Sequence, residues 1–199
     1  MSASGPHAPE IPSERLSHVR QRRFSVAEYH RMIDAGILGE DEHVELLEGE
    51  IVEMSPQEKP HAQATTRLNR WLTRALGDEY TVRVQMPLTL RRSEPEPDLA
   101  VVRAPAEASA RRHPTTALLV VEVADSSARH DLEVKARIYA RARIPEYWLV
   151  LVRRRVVEVL TSPDPKRGVY RKRVTLSEGE ALRPRALPGV SLAVLSLFS

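Results

Sequence analysis

The stretch Ala117-Leu-Leu-Val-Val-Glu-Val-Ala124 constrains the fold more than any other segment of this chain. Its residues are apolar on both alternating faces, so a strand built from it belongs in the middle of a sheet covered on both sides. Residues from Asp131 to about Arg143 then follow a helical pattern, and Tyr147 to Val152 reads as strand again. That strand–helix–strand order describes a crossover unit, right-handed if its two strands are parallel. The expected class is therefore α/β, with a mixed, twisted central β-sheet flanked by α-helices.

The remaining segments fit around this unit. Ser25-Val-Ala-Glu28 has the form of a capping box and Gly36 supplies a stop, which predicts a helix over about 26–35. His43-Val-Glu-Leu-Leu47 and Glu50-Ile-Val-Glu-Met54 flank Glu48-Gly49, the signature of a hairpin turn. Ala64, Leu68, Trp71, Leu72 and Ala75 recur at helical spacing over about 60–76. Thr81 to Leu90 alternates as a strand, and Asp98-Leu-Ala-Val-Val102 is a short strand after a proline-rich approach. From Val156 the pattern is one of short strands and turns, with Pro163 to Gly168 as one turn. Residues 1–23 are rich in Ser, Pro, His and Arg without periodicity and read as a flexible basic leader; residues 24–199 read as one domain.

Composition narrows the chemistry. The chain has no cysteine among its 199 residues, which excludes disulfides, thiolate zinc sites and a cysteine nucleophile and agrees with a cytoplasmic protein. Its seven histidines show no HExxH-type spacing. No apolar run approaches the ~20 residues a membrane span requires. A net charge of +3 permits nucleic-acid contact. Basic clusters at Arg91-Arg92, Arg111-Arg112, Arg153-Arg154-Arg155 and Lys166 to Lys172 read either as phosphate contacts or as ordinary charged surface.

Glu122 is the anomaly in the central strand. A carboxylate among Leu, Val and Ala is costly unless a cation or strong donors meet it; the alternative is a side chain reaching solvent at the strand's end. On a helical wheel, Lys135 lies at the centre of the apolar stripe, with Leu132 and Tyr139 on one side and Ile138 and Ala142 on the other. Arg137 and Arg141 fall on the far side. Lys135 therefore points at whatever the helix packs on, which in a crossover unit is the sheet holding Glu122; a snorkelling lysine is the alternative. Asp131, one turn earlier, could pair with it. Asp98 enters its strand from Glu94-Pro-Glu-Pro97. Asp98 and Glu122 on adjacent strands, with the Val123 carbonyl, would offer hard oxygen ligands for Mg2+, or Mn2+ in its place. Lys135 would orient the attacking water or stabilise charge on phosphate oxygens.

Pro97-Asp98, then Glu122 after 23 intervening residues, resembles the PD-(D/E)xK nuclease superfamily. The usual lysine, two residues after the glutamate, is replaced by Ala124. Leu119-Val-Val-Glu-Val123, Asp131 through Lys135 to Tyr139, Ile144-Pro-Glu-Tyr-Trp-Leu-Val150, Glu45-Leu-Leu-Glu-Gly-Glu-Ile-Val52, Met54-Ser-Pro56 and His61 together resemble the Uma-two family of restriction-endonuclease-like proteins, over roughly residues 24–198. The resemblance implies a restriction-endonuclease-like fold whose lysine comes from a helix. It also implies that Glu45 lines the site, a choice the residues alone do not make over Glu48, Glu50 or Glu53, and that His61 faces the same cleft. Ala124-Asp-Ser-Ser127 and Leu151 depart from the family's pattern without removing a ligand. The expected function is metal-dependent hydrolysis of phosphodiester bonds, with DNA as partner and a homodimer as the assembly that cuts two strands. The competing readings are an inactive nuclease fold that binds nucleic acid or protein, and a hydrolase of smaller phosphate esters.

Overall fold

The computed structural model describes residues 21–39, 41–54, 58–104, 113–124 and 128–199. The leader up to residue 20, the 105–112 segment with Arg111-Arg112, most of Met54-Ser-Pro56 and the 125–127 turn lie outside the described residues. Helix α1 (Val26–Asp34) starts on the capping box: Ser25 accepts from the Glu28 amide and Glu28 accepts from the Ser25 amide. Strands β1 (Val44–Leu47) and β2 (Glu50–Glu53) form a separate antiparallel hairpin. Its turn residues Glu48 and Gly49 both have positive φ, 49° and 89°, as a tight hairpin with the twist of its strands demands. Helix α2 (Lys59–Ala75) has Pro60 in its first turn, where the missing N–H costs nothing, and buries Ala64, Leu68 and Leu72.

Six strands form the central sheet in the order β3 (Tyr80–Val84), β4 (Leu99–Arg103), β5 (Leu119–Ala124), β6 (Glu146–Leu151), β7 (Val156–Asp164) and β8 (Val169–Leu176). Only β5 and β6 run parallel; every other pair in this sheet is antiparallel. The mixed sheet is the one the buried central strand required. Every residue of β5 and β6 is buried. Between them the chain crosses through α3 (Ala128–His130), a π-helical segment Asp131–Lys135 and α4 (Ala136–Arg141). The sheet separates two aliphatic cores. One lies under α4 and includes Val120, Ala124, Ile138, Tyr139 and Tyr147. The other lies under α2 and includes Leu68, Leu72, Val121, Val123 and Trp148. The short strands β9 (Ala181–Leu182) and β10 (Leu192–Ala193) pair beside the second core.

Three expectations need correction. The strand expected through Leu90 ends at Val84, because Gln85 takes φ 49° and Pro87 has no N–H for a ladder. Residues 85–95 instead fold back on themselves, with Leu88 N bonded to Pro95 O and Leu90 N to Ser93 O. The C-terminal strands are long: β7 and β8 make a hairpin of nine and eight residues, and Pro163 lies inside β7 opposite Tyr170. The crossover helix is not uniform. The Ala136 amide reaches back five residues to the Asp131 carbonyl, so a π turn interrupts the α pattern just at Lys135.

Candidate active site

Glu122 stands on the α4 face of β5, the same face as its period-two neighbours Val120 and Ala124. It is 4% exposed, so the solvent-reaching alternative does not hold. Leu99 pairs with Val121 between β4 and β5. Continuing that register by one residue sets Asp98 across from Glu122, and directly opposed residues have Cβ atoms about 4.5–5.5 Å apart. Asp98 is buried, and its Oδ2 accepts from the Val123 amide at 2.8 Å and meets His61 Nε2 at 3.0 Å. A strand residue directs its N–H and C=O to the same edge. The Val123 carbonyl therefore lies on the edge that faces Asp98.

Lys135 comes down on this pair from the π turn. Its Nζ is 3.2 Å from Glu122 Oε1 and 3.2 Å from Glu45 Oε1, and the residue is only 8% exposed. The snorkelling alternative is thereby excluded. Glu45 arrives from the middle of β1, held by a bond from the Glu96 amide to its Oε2 at 3.2 Å. His61 reaches Asp98 from the first turn of α2. The structure thus brings Asp98, Glu122, Lys135, Glu45 and His61 together from five elements or their ends.

Electrostatics follow from the crowding. Burial pushes the Glu122 carboxyl up to about 8; Lys135 opposes the rise, and Asp98, Asp131 and Glu45 add to it. Burial alone would lower Lys135, but the carboxylates of Glu122, Glu45 and Asp131 overcome that and hold its ammonium above the usual range. Glu96 is raised by burial and by its neighbours Glu45 and Glu94. Crowded acids and burial thus disfavour the charged form of Glu122 and Glu96, an environment that a cation would relieve.

Sequence reasoning did not find Tyr139. Its hydroxyl donates to Glu122 Oε1 at 2.6 Å, and burial with the nearby Glu122 charge holds it protonated. Its position one helical turn after Lys135, on the same side of the wheel, was the available signal. A second missed pair is His30 with Glu94, Nε2 to Oε1 at 2.7 Å, which docks α1 against the loop that carries Glu96. Arg137 and Arg141 lie on the solvent side of the helix as expected, and there both also bind Glu48. Two members of the basic clusters are engaged by acids, Arg155 by Glu178 and Arg171 by Asp164, as is the adjacent Arg173 by Glu158.

A mixed six-stranded sheet, with a strand glutamate facing a helix-borne lysine across an aspartate-led neighbour, defines a nuclease-like α/β fold. A solved structure supports that assignment, titled as a putative nuclease belonging to DUF820 from Anabaena variabilis. It superimposes with a TM-score of 0.59 over 78% of this chain and 89% of that one, at 13% identity. The family model described as "Putative restriction endonuclease" (Uma2) matches residues 26–195, and the chain belongs to that family. No curated protein matches it. Among the described residues, no helix is long and apolar enough to cross a membrane.

Proposed function

We propose that this protein is a metal-dependent nuclease that hydrolyses phosphodiester bonds of DNA, with Asp98, Glu122 and Lys135 at its centre. The observation that carries the reading is the burial of Lys135 between two carboxylates, in contact with the same glutamate that faces Asp98. Neither the strand acids nor the helix lysine has a packing reason to be there.

The donor set suits a magnesium or manganese ion. Asp98 Oδ1 and Glu122 Oε2 are the carboxylate oxygens not engaged in the bonds described above. The Val123 carbonyl is a third oxygen on the same edge. Among the described residues no three acid or imidazole side chains form a ready-made cage. Magnesium does not require one, since it keeps several waters and is completed by substrate phosphate. When bound, the ion supplies Lewis-acid polarisation of a phosphate oxygen and acidifies water.

The chain's own residues do the rest. An ammonium has three N–H donors. Lys135 Nζ forms ion pairs at 3.2 Å with both Glu122 Oε1 and Glu45 Oε1, and an N–H directed away from them would serve an attacking water or a phosphate oxygen in transition. Glu45 and Glu122 also keep that amine charged, so it acts as a fixed cation and not as a base. Tyr139 fixes the rotamer of Glu122, and His61 with the Val123 amide fixes that of Asp98. Burial of this set excludes bulk water, which strengthens its action on developing charge.

The test is cleavage of supercoiled and single-stranded DNA by the full chain with magnesium, with manganese and with EDTA. Cleavage supported by either ion, removed by EDTA and abolished in Glu122→Gln is the expected result. Binding of DNA without cleavage under every condition would instead leave an inactive nuclease fold.

A further inference from the structure

We infer that Glu48 is a positioning residue, a clamp that sets the distance between the β1–β2 hairpin and α4 and thereby the contact of Glu45 with Lys135. The inference rests on the proposed site and names a device that controls it. Glu48 occupies the hairpin tip with φ 49°. All its polar groups are engaged. Its Oε2 accepts from Arg137 Nη2 at 2.8 Å, and Oε1 accepts from Arg137 Nε at 3.4 Å and from Arg141 Nη1. Its amide donates to Ser93 Oγ at 2.8 Å, and its carbonyl accepts from Arg23 Nη1 at 2.9 Å. Burial works against its charge, yet the two guanidinium groups hold the carboxyl below its usual range.

The arginines are braced from behind. Gly168, in the β7–β8 turn, has φ 69°, and a Cβ there would stand 2.9 Å from both Arg137 Cγ and Arg141 Nε. The β7–β8 turn thus closes on the side of α4 that grips Glu48. A bidentate guanidinium–carboxylate pair fixes orientation as well as distance. On one side of this joint, Glu45 is three residues before Glu48 in the same hairpin; on the other, Lys135 is two residues before Arg137 on the crossover helix. The hairpin is not hydrogen-bonded as a strand into the central sheet. Backbone bonds from the Glu94 amide to the Leu46 carbonyl and from the Phe24 amide to the Gly49 carbonyl tie it to neighbouring segments, while across to α4 side-chain contacts join it, of which this clamp lies nearest the Glu45–Lys135 pair in sequence. Misplacement of a reacting group by about 1 Å can cost on the order of a hundredfold in rate.

The experiment compares wild type with Glu48→Gln and Arg141→Met as full chains. The lysine side-chain nitrogens are labelled with 15N, and Lys135 is assigned through Lys135→Arg. The expected result is loss of the protected Lys135 ammonium signal in both variants, with kcat on DNA falling about ten- to a hundredfold at unchanged KM. An unchanged Lys135 signal together with unchanged kcat, whatever happens to Tm, would overturn the inference and reduce the clamp to a stabilising contact. If Glu48→Gln does not fold, Arg141→Met carries the same two readouts. If wild type cleaves no DNA with magnesium or manganese, the nuclease reading fails, while the Lys135 signal still decides whether the clamp positions the pair.

Discussion

The Lys135 ammonium stands 3.2 Å from Glu122 Oε1, joining a π turn to the centre of the buried sheet. Both groups are shielded from water, and the surrounding carboxyl groups favour the charge on the lysine. Removing the lysine would leave Glu122 and Glu45 facing each other. Lys135→Met should therefore lower stability by about 3–5 kcal/mol, the range for breaking a buried pair. It should also lower DNA cleavage by about a hundredfold or more. Denaturant melts and single-turnover cleavage of the same preparation check both.

The pH dependence has a definite sign. In the metal-free protein the Glu122 carboxyl rises from 4.5 to about 8, so the folded state holds a proton that the unfolded chain has released. Its stabilising contribution is fully present below about 4.5 and is lost as pH rises towards about 8. Tm without metal should fall across that window. Magnesium should raise Tm more at pH 8.5 than at pH 6, because a cation and a proton compete for the same carboxylate. Glu122→Gln should flatten both profiles in thermal melts.

Tyr139 shares Glu122 Oε1 with Lys135. Tyr139→Phe keeps the ring that packs against Tyr147 and removes only the hydroxyl. The expected loss is about 1–2 kcal/mol, since the acceptor retains its lysine. Cleavage should fall several-fold with an unchanged magnesium requirement. Chemical melts and magnesium titrations of the cleavage rate measure the two effects.

A substitution at Asp98 tests the proposed metal binding apart from folding. Asp98→Asn retains an oxygen that can accept from the Val123 amide, which lies at 2.8 Å in the wild type. The variant should fold with nearly wild-type Tm in EDTA and lose the Tm increase that magnesium gives wild type. A magnesium-dependent Tm shift of wild-type size would remove Asp98 from the ion's ligands.

Much of this was legible in the chain itself because it rests on local periodicity. The unbroken apolar run around Glu122 required a central strand, the capping box set the start of α1, and Glu48-Gly49 set a hairpin. The helical wheel placed Lys135 inward although a π turn replaces part of the α pattern there; Asp131 and Lys135 are both buried in the π segment. Strand length was less legible. Pro87 warned against a ladder through Leu90, but the positive φ of Gln85 reflects the fold-back of residues 85–95 onto Ser93 and Pro95, a non-local arrangement.

The sequence by itself determined which residues are out of place: a glutamate in an apolar strand and a lysine in an apolar seam. Side-chain patterning along one element carries that information. Only the tertiary structure decided what surrounds them. Glu45 stands apart from Glu48, Glu50 and Glu53 because it alone reaches Lys135, and Glu48 became a clamp because α4 presents Arg137 and Arg141 to it. Tyr139 and His61 acquired their partners in the same way. These are contacts between elements distant in sequence, set by how helices and hairpin pack on the sheet, and no spacing rule along a single strand or helix encodes them.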